Sequence, residues 1–469
     1  MREIFVDSHF LFRRTAFVES GKLKALTVEP LISEPLEGAL FLGRITAVVE
    51  SLEAAFVNIG LDQDAFLPFQ DLPDRLNRKA LKNGSELLVQ LKTEGSKFKG
   101  PKVTGKPELQ GRYLVLMPET RQKSISRKLK DNEKRALLMV QVDEAVGDLG
   151  YIVRTEGTMA APEKVTEEAM RLKNVWDNLQ RAYVMVRAPQ CVDPGLSASQ
   201  RLLLTHLSVP GTSLVLSDPD EAAKLDELLK DYDLGVSAKD AVKGKKRNPQ
   251  LFEEAYQLDS QIQSLLEKKA DFEGAYLLLE PTEAFLAVDV NAGSAAYISR
   301  KSAAMKRQIN EKAIIECLRQ LELRNIGGMV MMDLIDAEGE SERQYYNAFV
   351  KKTLRNGFSG VFGAEVNGLG VLSFTRRRMG KSLAACMMSP CGCCGSGWVL
   401  SPAAQLDRLL REAVRSGGRQ RFRVSNGIFE LAGALNPLIS RIEQDFDIVL
   451  NWEEDETLNY LPVQYKKTL

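Results

Sequence analysis

The sequence predicts a mixed α/β and α+β chain of several domains, and three observations carry that prediction. Short strand patterns crowd residues 36 to 107, while an apolar strand, a long helix and a second apolar strand succeed one another between 275 and 335. The 469 residues also exceed a single domain of roughly 100 to 200. Hydrophobic residues make up 44% and charged residues 27%, which suits a sizeable core and excludes a disordered or collagen-like chain. Lys+Arg and Asp+Glu both number 63, so no overall field draws the chain to nucleic acid or membrane, and a polyanion site must rest on local clustering.

Taken in order, residues 1 to 35 alternate as Ile4-Phe5-Val6 and Thr15-Ala16-Phe17-Val18 about a Ser20-Gly21 turn, which predicts a hairpin. Leu40 to Val49, Ala54 to Ile59 and Leu87 to Leu91, punctuated by Gly43, Gly60, Gly84, Gly95 and Gly100, predict a small β-barrel. Residues 108 to 199 combine strand patterns (Arg112 to Met117, Tyr151 to Thr155) with a helix over 162 to 183. Helices are expected over Asp218 to Leu229 and Leu251 to Lys269, with Lys243-Gly244-Lys245-Lys246-Arg247 as a charged loop between them. Next comes a strand over Ala284 to Val290, a helix of about 25 residues stopping near Asn325 and Gly327, and a strand over Met329 to Met332. This is a strand, crossover helix, parallel strand unit, which brings both carboxyl ends to one sheet edge. Beyond a cysteine cluster, a helix over 402 to 415 and strands at Phe422 to Val424 and Ile448 to Asn451 predict a small α+β domain.

Asp289 closes the first strand of that unit and Asp333 the second, so the two carboxylates converge, with Asn291 on the same face as Asp289. Mg²⁺ takes hard oxygen ligands, keeps several waters and commonly uses one or two carboxylates with substrate phosphate oxygens. The alternative is that both aspartates cap loops or helices. The chain's two histidines, His9 and His206, lie outside this segment, which disfavours a metal-free histidine acid and base pair. In the barrel, strand parity places Phe56 with Asn58 on the polar face and Val57 with Ile59 on the other. Phe66 follows the same pattern, with Lys97, Lys99, Lys102 and Lys106 downstream. Aromatics beside lysines on a sheet make a stacking platform for single-stranded nucleic acid; aromatics packed under a loop are the other reading. Arg121 to Lys130 and Arg376-Arg377-Arg378 read as phosphate contacts or as solvated surface.

Cys391, Cys393 and Cys394 cluster beside Gly392 and Gly395. A closed zinc site takes four ligands, and the knuckle offers at most three, Cys391, Cys393 and Cys394, of which the expectation is that two bind. Cys386, a non-cysteine side chain or the same knuckle of a second subunit could supply the missing ligands; unbound thiols are the alternative. The start has an acidic third residue and no signal-like apolar run, and no window approaches the roughly 18 apolar residues of a membrane span, so a cytoplasmic protein is expected.

Ser51-Leu52-Glu53-Ala54-Ala55-Phe56-Val57, Phe66-Leu67-Pro68, Tyr113 to Pro118, Ile152-Val153-Arg154-Thr155, Asp289-Val290-Asn291 and Gly327-Gly328…Asp333-Leu334-Ile335-Asp336 occur in the order found in one family. With these six motifs the chain resembles the bacterial RNase E/G endoribonucleases over essentially its whole length. It is most like the RNase G branch, since no long disordered tail follows the terminal segment.

The resemblance implies an RNase H-like subdomain split between 1–35 and 200–264. It also implies an inserted OB-type RNA-binding barrel at 36–107, a 5′-sensor at 108–199 and a DNase I-like catalytic subdomain at 265–385. A zinc-link at 386–398 and a small C-terminal domain at 399–469 complete the expected order. It makes Asp289 and Asp333 the Mg²⁺ ligands, with Asn291 supporting the attacking water or the scissile phosphate, and leaves Asp336 outside the ligand set. Phe56, Phe66 and Lys99 match RNA-contacting positions, and Arg154 with Thr155 matches a 5′-monophosphate pocket. The activity implied is Mg²⁺-dependent cleavage of single-stranded RNA in RNA processing, rRNA included, giving 5′-phosphate and 3′-hydroxyl products. Shared Zn²⁺ would join a homodimer or homotetramer. Three departures stand out: a knuckle one residue short, Ser373 where the family strand has Glu, and Gly360 at a usually basic position. They leave open a rival reading, a non-catalytic RNA-binding factor with a degenerate nuclease site.

Overall fold

The computed structural model describes residues 1–469 apart from 33–35, 77, 96–99, 127, 233, 235, 237, 239–240, 243–247, 294–302, 356, 359, 378–379, 395–396, 462–464 and 469. Lys97, Lys99, Arg127 of the basic stretch Arg121 to Lys130, the loop Lys243 to Arg247, Arg378 and Gly395 therefore lie outside the described residues. Two compact units form, one from 1–33, 211–223 and 238–469, the other from 34–210 and 224–237.

The chain enters with strands β1 (Arg2–Asp7), β2 (Phe12–Glu19) and β3 (Lys22–Pro30). The expected hairpin joins β2 to β3, and Ser20 and Gly21 both take positive φ (51° and 76°), as a tight two-residue turn between twisted strands requires. Next comes the barrel: β4 (Leu40–Val49), β5 (Ala54–Asn58), β6 (Ala65–Pro68), β7 (Glu86–Thr93) and β8 (Lys102–Thr104). They pair as β4-β5-β6-β8-β7, and β7 returns to β4 to close the ring. Its interior holds Ile45, Val57, Leu67, Val89, Leu91 and Val103. Gly43 is where the wall admits no side chain, since a Cβ there would stand 2.4 Å from Val57 Cγ1.

The following segment has β9 (Leu109–Gln110), β10 (Leu114–Met117), β11 (Lys123–Ile125), α1 (Asn132–Val146), β12 (Gly150–Val153), α2 (Thr155–Met159) and α3 (Pro162–Val184). The sheet β11-β12-β10-β9 packs Leu114, Leu116, Tyr151 and Val153 against Val142 of α1 and Val165, Leu172 and Trp176 of α3. β13 (Gln190–Asp193) then adds to the outer side of β4, and α4 (Ala198–Leu207) starts on a capping box of Ser197 and Gln200.

β14 (Thr212–Leu216) lies parallel to β1, giving the sheet β14-β1-β2-β3. α5 (Pro219–Asp231) falls where a helix was expected. The single helix expected over Leu251 to Lys269 is corrected: α6 (Leu251–Glu254), α7 (Leu258–Ser264) and the start of β15 (Lys269–Phe272) occupy it. Tyr256 and Gln257 break the helix with φ of 54° and 52°. Tyr256 is held out of helical register by its hydroxyl, 2.5 Å from Glu3 Oε2, and by its ring edge-on to Phe5.

The catalytic candidate sheet continues with β16 (Ala275–Pro281), β17 (Leu286–Asn291), α8 (Ala303–Leu323), β18 (Gly328–Asp333), α9 (Glu340–Arg355), β19 (Val361–Val366) and β20 (Val371–Arg376). Its order is β15-β16-β17-β18-β20-β19, with β17 and β18 parallel. One face buries Leu277, Val288, Val290, Val330, Met332 and Phe374 against Ile314, Leu318 and Leu321 of α8 and Tyr346 and Val350 of α9. Each such aliphatic side chain withdrawn from water contributes roughly 1.5–3 kcal/mol, so this two-layer core fixes which residues the sheet turns outward.

α10 (Leu383–Met387) leads into the hairpin β21 (Met388–Pro390) and β22 (Trp398–Leu400). Then follow α11 (Pro402–Ser416), β23 (Gly418–Val424), α12 (Asn426–Ala434), α13 (Asn436–Phe446), β24 (Ile448–Glu454) and β25 (Tyr465–Thr468). Leu406, Leu409, Leu410 and Phe422 share one core with Phe5, Phe12, Phe252 and Leu258. Among the described residues no helix is long and apolar enough to cross a membrane.

Candidate functional site

β17 alternates strictly: Leu286, Val288 and Val290 are buried, whereas Asp289 is exposed and Ala287 and Asn291 are half-buried. In β18 Val330 and Met332 point inward and Asp333 outward. The parallel register sets Asp289 directly beside Asp333, so two carboxylates share one solvent-facing row on strands about 4.8 Å apart. The row continues across five strands as Lys269, Leu278, Asp289, Asp333 and Val371. Asn291 donates from Nδ2 to Asp289 Oδ2 at 2.5 Å. Asp336, three residues beyond Asp333, is turned away into an ion pair with Lys306.

Exposed carboxylates with an amide oxygen beside them are a hard-oxygen donor set, suited to a cation that keeps part of its hydration. Among the described residues no three His, Cys, Asp or Glu side chains converge into a metal cage. Asp289 and Asp333 are the side chains of this row that could hold such a cation. His9 is buried against Phe10 and Phe446, with ring centroids 6.2 and 6.0 Å away, and His206 lies on α4 in the other unit.

On the barrel, Phe56 and Phe66 face each other across β5 and β6, edge to face with centroids 5.9 Å apart, and both are half-buried while Val57 and Leu67 fill the interior. Lys102 of β8 is the register neighbour of Phe66. Lys106 pairs with Asp74 at 2.9 Å. The parity reading of Phe56 and Phe66 thus holds in the structure.

Arg154 immediately precedes α2, and its N–H donates to the Tyr113 carbonyl at 2.7 Å. Thr155 opens the helix, its Oγ1 3.1 Å from Ser126 Oγ. Two supports of this corner carry no sequence signal. Glu168 of α3 accepts the backbone N–H groups of Arg112, Tyr113 and Leu114 at 2.8, 2.7 and 3.0 Å. Arg135 of α1 donates to the carbonyls of Ile125, Ser126 and Leu129.

The cysteines occupy the β21–β22 hairpin. Cys391 N–H donates to the Gly397 carbonyl at 2.7 Å and Gly397 N–H donates to Cys394 Sγ at 3.3 Å. A Cβ on Gly397 would stand 3.3 Å from Cys394 Sγ and 3.6 Å from Cys391 Cβ. Cys391 and Cys394 therefore converge on one glycine. Cys393 and Cys394 are both exposed and Cys391 is half-buried, while Cys386 lies on α10.

Of the departures, Ser373 points outward in β20 beside Met331, and its Oγ donates to the Glu365 carbonyl at 3.4 Å. Gly360 has φ +75° beside Arg377, whose N–H donates to the Gly360 carbonyl at 2.7 Å, so a side chain there would strain the backbone. Arg376 is buried, donating to the Ile326 carbonyl at 2.7 Å.

The family model described as Ribonuclease E/G family matches residues 108–379, more than half of the chain and including both aspartates. The chain belongs to the ribonuclease E/G family. It is 30% identical over 368 residues to Ribonuclease E of Synechocystis, covering 76% of this chain and 54% of that protein. It is 28% identical over 434 residues to Ribonuclease G of Haemophilus influenzae and 27% identical over 432 residues to that of Escherichia coli, each time covering 86% of this chain and 85% of the relative. The chain thus spans about half the length of the Ribonuclease E proteins of Synechocystis and Nostoc that it matches, at 54% and 53%.

Proposed function

We propose that the chain is a Mg²⁺-dependent endoribonuclease that cleaves single-stranded RNA, favours a 5′-monophosphate end and leaves 5′-phosphate and 3′-hydroxyl products. The observation that carries this reading is the Asp289–Asp333 pair, side by side and solvent-facing within the family match. The names Ribonuclease E and Ribonuclease G of its relatives support the same class.

Asp289 and Asp333 would hold the cation; once bound, it supplies Lewis-acid polarisation of the phosphate and stabilises the developing charge. The chain's own residues orient and exclude. Asn291 ties its amide N–H to Asp289, which fixes that carboxylate and leaves the amide oxygen to accept a hydrogen bond from the attacking water. Phe56 and Phe66 offer ring faces to bases, with Lys102 at hand for a phosphate. Arg154 and Thr155 offer a guanidinium and a hydroxyl to a terminal phosphate, bonds that a 5′-hydroxyl end forgoes. Cys391 and Cys394 supply two thiolates, and the same pair from a second chain closes a tetrahedral zinc site, making the protein a homodimer or homotetramer. The sheet β14-β1-β2-β3 supports the RNase H-like assignment, and the sheet holding Asp289 and Asp333 the DNase I-like one. A cytoplasmic site of action accords with this chemistry.

Turnover of a short 5′-monophosphorylated RNA with and without Mg²⁺ tests the proposal. Cleavage that requires Mg²⁺ supports it. Tight RNA binding without cleavage would favour the rival non-catalytic factor, for which Ser373 on the face that carries Asp333 is the specific observation.

A further inference from the structure

Asp333 is the last residue of β18, and the chain then turns through Leu334, Ile335 and Asp336 before α9 begins at Glu340. One side of Asp333 is held by the ladder, the other by whatever holds this turn. Backbone polar groups that leave a sheet need new partners, and Ile335 finds both of its own on a single side chain. Ile335 N–H donates to Asn310 Oδ1 at 3.0 Å, and Asn310 Nδ2 donates to the Ile335 carbonyl at 2.9 Å. The second Nδ2 hydrogen goes to the Tyr346 hydroxyl of α9 at 2.9 Å.

Asn310 is fully buried, at 0% exposure, on α8. A buried amide within a helix is costly unless its bonds are made, and here both donors and the oxygen are engaged. Its neighbours on α8 reach the same stretch. Lys306, one helical turn earlier, pairs with Asp336, and Arg307 forks onto Glu342 with bonds of 2.6, 3.0 and 3.1 Å. The turn is therefore gripped from within by Asn310 and from the surface by Lys306.

We infer that Asn310 is a positioning residue that holds the turn after Asp333 and so aims the Asp333 carboxylate alongside Asp289. This rests on reading the two aspartates as a Mg²⁺ site. It adds a residue that touches neither substrate nor cation and acts only through the Ile335 backbone.

The test uses the full chain and Mg²⁺ alone as probe, titrated calorimetrically, with amide hydrogen exchange at Ile335 and thermal unfolding measured in parallel. Asn310→Leu, similar in volume but unable to bond, should bind Mg²⁺ about 10- to 100-fold more weakly, the usual effect of removing a group that orients a metal ligand. Its Ile335 amide should exchange faster. Tyr346→Phe keeps both Ile335 bonds and should bind Mg²⁺ as the wild type does. If Asn310→Leu does not fold, Asn310→Ser, which stays polar but is too short to hold both Ile335 backbone groups, serves instead, with the same weakening expected. A folded Asn310→Leu, or in its place Asn310→Ser, with wild-type Mg²⁺ affinity overturns the inference, even if its melting temperature drops. Asp333→Asn is measured alongside. Should it lose Mg²⁺ while the α8 variants keep it, only the positioning role fails; should it also keep wild-type affinity, the metal reading falls and the inference with it.

Discussion

Replacing Asp7 with Asn removes one charge from a buried cluster that ties β1 and β2 to α7 and α11. Asp7, 1% exposed, accepts at Oδ2 from Arg14 Nε at 3.0 Å, Arg14 Nη2 at 2.5 Å and Arg411 Nη1 at 2.7 Å. Arg14 also reaches Asp259 at 2.5 Å, and Arg411 reaches Asp407 at 2.8 Å. In Asp7→Asn each guanidinium therefore keeps one carboxylate, and no orphan charge is left. What is lost is hydrogen bonding to charged groups, about 1.5–3 kcal/mol per bond, and because both cations retain a partner the total stays at about 3 kcal/mol.

The same cluster sets a pH dependence. Burial alone would raise the Asp7 pKa, but Arg411 and then Arg14 outweigh it and hold the carboxyl well below the ordinary carboxylate range. The folded pKa is thus depressed, so this contribution is complete above the unfolded value of about 3.9 and is lost as pH falls below it towards the folded value. Urea unfolding followed through Trp452, which stacks on Phe422 in the same unit, should give a gap of about 3 kcal/mol at pH 7 that narrows below about pH 4. A gap under about 0.5 kcal/mol at pH 7, the range of neutral surface changes, would refute the argument. So would a gap independent of pH.

Three further outcomes are expected. Phe56→Ala should weaken single-stranded RNA binding by about 1–3 kcal/mol in an anisotropy titration, at a stability cost near the 0.5–1.5 kcal/mol of a lost aromatic pair with Phe66; a large fall in melting temperature with unchanged affinity would make it a core residue only. Arg154→Ala should erase the faster cleavage of 5′-monophosphorylated over 5′-hydroxyl RNA and leave the latter rate nearly unchanged, whereas equal losses on both substrates would mark Arg154 as structural. Cys391→Ser with Cys394→Ser should abolish bound zinc and lower the mass measured by light scattering, while Cys393→Ser should do neither; an unchanged mass in the paired variant would remove the zinc link.

Much of the catalytic candidate was legible because its signals are local. Alternation in Leu286 to Asn291 and Gly328 to Asp333, with a helix between them, dictates a parallel pair whose ends carry Asp289 and Asp333. Phe56 and Phe66 were equally legible, since parity along a barrel strand decides which ring faces out. What escaped was non-local. β13 joins the barrel from far down the chain, and no pattern in Gln190–Asp193 announces its partner β4. Tyr256 breaks a good helical pattern through a contact with Glu3, not through a glycine or proline. Asn310 sits among charged residues of an ordinary helix, and only the fold shows that its amide meets the Ile335 backbone. Asp7 reads as an ordinary strand end until Arg14 and Arg411 close on it.

If the proposed function holds, Asp289 and Asp333 together make the cleavage site. Single-turnover cleavage of a 5′-monophosphorylated oligoribonucleotide, with its affinity measured in parallel, tests this most directly in Asp289→Asn and Asp333→Asn. Each change keeps the side chain's shape and removes a charge that a hard cation requires. Both variants should bind the RNA as the wild type does and cut it at least about 100-fold more slowly, the upper scale for loss of a group on which metal binding depends. Cleavage at the wild-type rate by the double variant would place the active site elsewhere.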